Sequence, residues 1–369
     1  MSKTKPERAE EIEAFLGQAG WSAATRHPLP GDASTRHYTR LIRGGQSAML
    51  MDQPQHTEAP AATERASAEE RRALGYNALA RLAGADCARF VAASNYLRAR
   101  GLSAPEIFAA DTKAGLVLLE DLGDALYGPI LASGAEEQAL YAAAIDALVR
   151  LHRDSAPGAL APGIPLFRYD ETALLAEADL LTEWFLPLAK GRAAGPEEME
   201  EHRLLWREAL KGLETTPGVF VHRDYHALNL LWLPQRKGHA RVGMIDFQDA
   251  LAGAPAYDLV SLLEDARRDV APELAEKMTR RYLEQSDVDA ETFRASAAIL
   301  AAQRNAKIVG IFARLARRDA KPGYLEHLPR VWRYLARDLE HPALSRLKAW
   351  YDREFPQEER AAARGHGVA

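Results

Sequence analysis

The sequence predicts an α+β protein with a small β-rich N-terminal lobe, residues 1–119, and a larger, mainly helical C-terminal lobe, residues 120–369, joined by a hinge near 119–123. Three observations predict it. Between residues 29 and 122, short apolar runs alternate with turn residues, the pattern of strands and hairpins. Beyond residue 138, apolar residues recur at helical spacing over segments too long for strands. Set into that helical half is one strand–turn–strand unit, Leu230–Leu233 and Arg241–Asp246, with Gln235–His239 as its turn. At 369 residues the chain is long enough for one large domain or two lobes.

In the N-terminal part, Ile12, Phe15 and Leu16 mark a helix over 6–19 that stops at Gly20. An irregular or extended segment starts at Trp21. Residues 29–42 read as strand, tight loop and strand. The loop is Gly31, Asp32, Ala33, Ser34, Thr35 and Arg36, small and polar with one glycine for unusual torsions. Ser47–Asp52 is the next strand. Residues 54–88 begin as a loop, set by Pro54 and Pro60, and Glu64–Leu82 is a helical insertion or a flexible excursion. Phe90–Arg100 is a helix closed by Gly101. Pro105–Asp111 is a strand into a turn, and Leu116–Gly123 an apolar strand ending in Glu120, Asp121 and a glycine.

In the C-terminal part, Leu140, Ala144, Ile145, Leu148 and Leu151 form the stripe of a helix over 138–152, with His152 as a cap or packing residue. Three prolines make 154–166 a loop. Residues 171–188 are helical, broken near Pro187, and 197–213 form another helix. Val219–Val221 is an approach strand. A helix follows over 256–265, with Asp258 placed to cap its N-terminal amides. Helices continue over 272–285, 291–317, 323–339 and 342–354, and the tail after Phe355 is expected to fray.

Composition narrows the function. Hydrophobic residues at 47% and charged residues at 27% are ordinary for a globular enzyme. A net charge of −5 gives no basic field for nonspecific nucleic-acid binding. Cys87 is the single cysteine, so no intrachain disulfide or thiolate metal cluster forms. The N-terminus lacks the apolar core of a signal peptide, and no run reaches the roughly 20 apolar residues that span a bilayer. A cytoplasmic protein without membrane partners is the expectation.

The chemistry is carried by Val219-Phe-Val-His-Arg-Asp-Tyr-His-Ala-Leu-Asn229, read with Val242-Gly-Met-Ile-Asp246. Each places a carboxylate just after an apolar run, and the first adds an amide five residues later. Phosphoryl transfer from ATP needs a carboxylate to orient the attacking hydroxyl and accept its proton. It also needs hard oxygen ligands for Mg²⁺. Asp224 fits the first role, and Asn229 and Asp246 fit the second. The loop Gly31–Arg36 suits ATP phosphates, through backbone amides and hydroxyls, as well as it suits an ordinary hairpin. Arg36 and His37 face phosphate or solvent.

His-Arg-Asp-x-x-x-x-Asn followed by Asp246-Phe-Gln-Asp249 resembles the catalytic loop and metal turn of kinases, in the form seen in small-molecule kinases related to aminoglycoside phosphotransferases. That resemblance implies a bilobal, protein-kinase-like fold, with adenine held by backbone groups near Glu120 and Leu122. One departure stands out. Where kinases carry a strand lysine for the phosphates, this chain has Met49, Leu50 and Met51, and the helix 90–100 has no Glu to pair with it. Either another cation such as Arg36 supplies the charge, or the chain is a nucleotide-binding pseudokinase.

A narrower resemblance covers roughly residues 29–335. Pro30-Gly-Asp-Ala-Ser-Thr-Arg-His-Tyr, Leu119-Glu-Asp-Leu-Gly, His222-Arg-Asp-Tyr-His-Ala-Leu-Asn, Tyr257-Asp-Leu-Val-Ser-Leu-Leu and Gln303-Arg-Asn-Ala-Lys-Ile-Val-Gly occur in order. Together they resemble the anomeric kinases of bacterial cell-wall recycling, which phosphorylate N-acetylmuramate and N-acetylglucosamine at the C1 hydroxyl. The resemblance implies ATP and Mg²⁺ as cofactors, and Asp258 as a brace for the catalytic loop. It implies an amino-sugar 1-phosphate passed to a nucleotidyltransferase, with no stable complex. The lactyl carboxylate of N-acetylmuramate calls for a cation, for which His226, Arg304 and Lys307 are candidates. An aminoglycoside, choline or homoserine kinase is the alternative enzyme.

Overall fold

The computed structural model describes residues 5–31, 35–54, 61–213 and 218–362. Contacts divide the chain into two compact units. One comprises 1–151, 157–167 and 227–251, and the other 152–156, 168–226 and 252–369.

The first unit is built on a five-stranded antiparallel sheet. Its strands are β1 (Thr25–Pro28), β2 (His37–Arg43), β3 (Gln46–Asp52), β4 (Ile107–Asp111) and β5 (Leu116–Glu120), in the order β1-β2-β3-β5-β4. Alternation puts Leu41, Ala48, Leu50, Leu116 and Leu118 on one face, where they pack on Phe15, Leu16 and Trp21. Each large side chain so buried contributes roughly 1.5–3 kcal/mol. The helix that supplies Phe15 and Leu16 runs Lys5–Gln18. It stops where expected. Gly20 takes φ +76°, and the Trp21 amide donates to the Leu16 carbonyl at 2.7 Å. The first strand begins earlier than Leu29, within the segment read as irregular or extended. The Leu29 amide still donates to Tyr38 O at 2.8 Å, but Pro30 has no N–H with which to extend the ladder.

The insertion resolves into a helix, Ala68–Leu74, and a single turn, Tyr76–Leu79, separated by Gly75 at φ +100°. A capping box of Ser67 and Glu70 starts it. Asp86 caps the next helix, Cys87–Ala99. The strands Leu230–Trp232 and Val242–Met244 pair antiparallel, Met244 opposite Leu230. This hairpin belongs to the first unit. The Met244 amide donates to Ser103 O at 2.7 Å, and a Cβ on Gly243 would lie 3.1–3.3 Å from Leu233, Leu231 and Leu122. Close backbone packing of this kind is why the contacts do not divide at residue 119 as the sequence reading does.

The second unit is mostly helical. Its long helix, Ala290–Arg318, approaches Glu171–Leu180 so closely that Gly310 sits against the Leu180 backbone. The break expected near Pro187 is a π-turn over Leu181–Phe185, in which the Leu186 amide reaches back to Leu181 O. Proline supplies no N–H and its ring crowds the carbonyl four residues back, so the helix widens just ahead of it. Phe185, Trp332, Tyr351 and Phe355 form an aromatic cluster with centroid separations of 5.2–6.3 Å. The C-terminal segment does not fray at Phe355. A helix, Gln357–Ala362, follows, because Arg360 donates to Phe355 O at 2.6 Å and lies 5.2 Å from the Trp332 ring centroid. Among the described residues no helix is long and apolar enough to cross a membrane.

Candidate active site

In the second unit, the buried strand Val219–Val221 delivers the His-Arg-Asp loop. Arg223 adopts φ +80°, which costs a non-glycine residue about 1–2 kcal/mol and needs outside support. Asp258 supplies it. Its carboxylate, fully buried, accepts the amides of His222 at 2.6 Å and Arg223 at 2.8 Å. The expectation that Asp258 caps its own helix is thus corrected, since its two oxygens each accept a loop amide. His152 lies behind it, Nε2 3.4 Å from the Asp258 carboxylate and Nδ1 2.9 Å from the Tyr282 hydroxyl.

The Arg223 side chain runs inward to Glu177, which is also fully buried. Glu177 is a hub. It pairs with Lys307 at 2.8 Å and accepts from Gln303 at 3.2 Å and from the Tyr169 hydroxyl. Burial alone would raise the Glu177 pKa, but Lys307 and Arg223 outweigh it and hold it at about 2. Lys307, in turn, is held well above its usual pKa. Its burial opposes this, and Glu177 and Tyr257 overcome the burial.

Asp224 is half-buried. Desolvation pushes its pKa up, but Lys307, His226, Arg223 and Arg304 together bring it below the ordinary value. His226 is driven the other way from a protonated state, by burial first, with Asp265 and Asp224 opposing. The loop therefore presents an ionised carboxylate next to a neutral imidazole. Lys307 and Arg304, read from sequence as sugar-pocket candidates, are both buried. Lys307 has its charge committed to Glu177, whereas Arg304 reaches only a neutral acceptor, Glu264 O at 3.3 Å.

In the first unit, the hairpin register puts Asn229 and Asp246 at the same end, with the Ile245 amide donating to Asn229 O at 3.1 Å. Asp246 sits at φ +65° with its side chain 42% exposed. Gln248 Nε2 donates to its Oδ1 at 2.9 Å, and Arg36 Nη1 lies 3.3 Å away. Asp249 accepts the Ala83 amide at 2.6 Å and so ties the turn to the insertion. Two hard oxygen donors, one carboxylate oriented by an amide, fit Mg²⁺, which keeps several waters and takes its remaining ligands from phosphates. No group of three or more His, Cys, Asp or Glu that would hold a metal occurs among the described residues.

Asp32, Ala33 and Ser34 lie outside the described residues. Gly31 takes no left-handed torsion, and open space surrounds the position of a Cβ. Thr35 Oγ1 accepts from Gln53, the residue after β3, at 2.9 Å. The guanidinium of Arg36 is the cation that the described structure brings to Asp246. On β3, Met51 Sδ accepts from the Tyr38 hydroxyl at 3.5 Å in the region where a lysine would project. The Glu120 amide is already used by Glu106 O at 2.8 Å, so its N–H is not available to an adenine edge. Its carboxylate pairs with Arg236, and Leu122 packs beside Gly243.

Residues 25–295 match the model of the phosphotransferase enzyme family. The chain belongs to the phosphotransferase enzyme family. It is a phosphotransferase with an α+β fold, and its curated relatives narrow the comparison. A protein of Caulobacter vibrioides named N-acetylmuramate/N-acetylglucosamine kinase is 46% identical over 96% of this chain and 98% of its own. One of Pseudomonas aeruginosa with the same name is 30% identical over 88% and 87%. Among known structures, the GDP complex of aminoglycoside 2'-phosphotransferase-IIIa aligns over 90% of this chain with a TM-score of 0.58, and choline kinase LicA of Streptococcus pneumoniae with 0.57, each at 14% identity. At that identity the likeness concerns the fold.

Sequence reasoning missed Glu177, Tyr169 and Gln303 in this family member. Glu177 lies 46 positions before Arg223, in a helix most of whose residues are buried. The one available signal was an acid on the apolar side of that helix.

Proposed function

We propose that this phosphotransferase is an ATP-dependent kinase for the anomeric C1 hydroxyl of N-acetylmuramate and N-acetylglucosamine. The observation that carries the reading is the pairing of an intact Asp224, Asn229 and Asp246 with relatives named for those two sugars over nearly the whole chain. In this reading Asp224, kept ionised, accepts a hydrogen bond from the C1 hydroxyl and orients its oxygen toward the γ-phosphorus. The sugar O–P bond forms, the bond to the β-phosphate oxygen breaks, and the proton passes late to Asp224. An anomeric hydroxyl is more acidic than an ordinary alcohol, which suits a base of low pKa. Asn229 and Asp246 would hold Mg²⁺, which neutralises phosphate charge when bound. Arg36 would supply the phosphate cation that β3 lacks. The loop from Gly31 through Asp32, Ala33, Ser34 and Thr35 would cover the phosphates, with the adenine near Glu120 and Leu122. The lobe division at 119–123, a cytoplasmic setting and onward transfer of the sugar 1-phosphate to a nucleotidyltransferase belong to the same proposal.

The test is ³¹P and ¹H NMR of a reaction containing ATP, Mg²⁺ and either sugar. A new phosphate coupled to H1 is expected, and its coupling constant gives the anomer. Asp224→Asn should abolish turnover and keep nucleotide binding, and Asp246→Ala should weaken Mg·ATP binding. ATP left untouched by both sugars would end this reading.

A further inference from the structure

Arg304 is a buried cation with no carboxylate paired to it among the described residues. It is 5% exposed, on the long helix Ala290–Arg318. Its one hydrogen bond goes to a carbonyl, Glu264 O, at 3.3 Å. Among the described residues no carboxylate lies within 4.0 Å of its guanidinium. The adjacent carboxylate is already taken, because Glu264 pairs with Arg337 and accepts from Asn305 at 2.6 Å. A buried guanidinium costs several kcal/mol unless an anion offsets it, and a neutral carbonyl offers only part of that.

A second arginine lies in the same neighbourhood. Arg267, half-buried on the loop after the helix Ala256–Leu263, stacks 5.8 Å from the Tyr324 ring centroid and is likewise without a carboxylate partner among the described residues. The charges of both arginines bear on His226, two residues past Asp224. The carboxylate that shares this neighbourhood, Asp265, has Oδ1 engaged by the Arg267 amide at 2.8 Å. Around His226 the two guanidinia face two carboxylates, Asp265 and Asp224 itself, and among the described residues neither pairs with Arg304. Lys307, the other cation near Asp224, is neutralised by Glu177 at 2.8 Å.

We propose that Arg304, assisted by Arg267, forms a carboxylate subsite beside Asp224 and His226 that selects an acidic sugar over its neutral counterpart. This rests on the sugar-kinase reading. The two sugars differ in the required way, since N-acetylmuramate carries a lactyl carboxylate and N-acetylglucosamine carries none. A polycationic acceptor such as an aminoglycoside would meet repulsion at the same place.

The experiment compares kcat/KM for the two sugars in the wild type, Arg304→Gln, Arg304→Lys and Arg267→Gln. The ratio of N-acetylmuramate to N-acetylglucosamine should fall about 100-fold in Arg304→Gln, from the loss of a desolvated charge pair. Arg304→Lys should restore part of it. Arg267→Gln, at a half-buried position that tolerates a neutral side chain, should lower the ratio about tenfold. Because Arg304 also acts on Asp224, both sugars should lose some turnover, and the ratio removes that common loss. A ratio within about threefold of wild type in both glutamine variants would overturn the subsite, as would an equal loss on both sugars, which would place Arg304 on the phosphates instead. Should the wild type phosphorylate neither sugar, the kinase reading fails and D-lactate decides the subsite alone. A lactate-dependent rise in melting temperature that Arg304→Gln abolishes supports it, and identical behaviour of the two proteins overturns it.

Discussion

Replacing Glu177 by Gln removes the charge that holds Arg223 and Lys307 beneath the His-Arg-Asp loop. The glutamine keeps the shape and one acceptor, so the loss is electrostatic. Its size follows from the structure in two ways. The carboxyl is held at about 2 in the folded protein against an ordinary 4.5. At about 1.4 kcal/mol per tenfold change, this corresponds to roughly 3 kcal/mol of stability at neutral pH. Removing one partner of a buried ion pair costs about 3–5 kcal/mol by general experience, in agreement. Because the folded pKa is depressed, the contribution is complete above the unfolded value and is lost as the pH falls toward 2. The gap between wild type and Glu177→Gln should therefore stand near 3 kcal/mol at pH 7 and narrow to about 2 kcal/mol at pH 3.5. Urea denaturation followed by tryptophan fluorescence reads this directly, since Trp184, Trp206, Trp332 and Trp350 all lie in the second unit. A gap below about 1 kcal/mol at pH 7, or one that widens in acid, would refute the assignment of Glu177 as the counter-charge of Arg223 and Lys307.

Gly310→Ala should destabilise by about 3 kcal/mol or more, seen as a lower urea midpoint, because a Cβ there would lie 2.3 Å from the Leu180 carbonyl carbon and both atoms belong to packed backbone. Cys87 is 2% exposed and its thiol is pushed up to about 11, chiefly by burial and then by Asp86, so thiol–disulfide reagents at pH 8 should modify the native protein at least about 100-fold more slowly than the urea-unfolded chain. Arg36→Met should raise the KM for ATP about tenfold or more, measured at saturating sugar, if Arg36 supplies the phosphate charge that β3 lacks; an unchanged KM would assign that charge elsewhere.

The residues legible in the sequence are those that chemistry forces to be close along the chain. Asp224 and Asn229 share one loop, and the hairpin register needs only two short apolar runs and a turn to put Asp246 beside Asn229. Periodicity likewise gave the helices, because burial of one face is a local pattern. The insertion was harder, since Gly75 cuts a stretch whose composition is helical throughout. The π-turn was visible only as a proline.

What packing alone creates was not legible. Asp258 was recognised as a brace only through resemblance, and its actual partners are amides 35 and 36 residues away. The sequence shows Arg223 as the middle letter of a motif. The structure shows it as a strained residue whose backbone is held by Asp258 and whose side chain is neutralised by Glu177, so that both supports of the Asp224 loop are fully buried carboxylates. The same logic separates Lys307 from Arg304. Three positions apart on one helix, they are indistinguishable as sequence. Among the described residues Lys307 pairs with Glu177 at 2.8 Å while Arg304 reaches only the Glu264 carbonyl at 3.3 Å, and the proposed subsite rests on that difference.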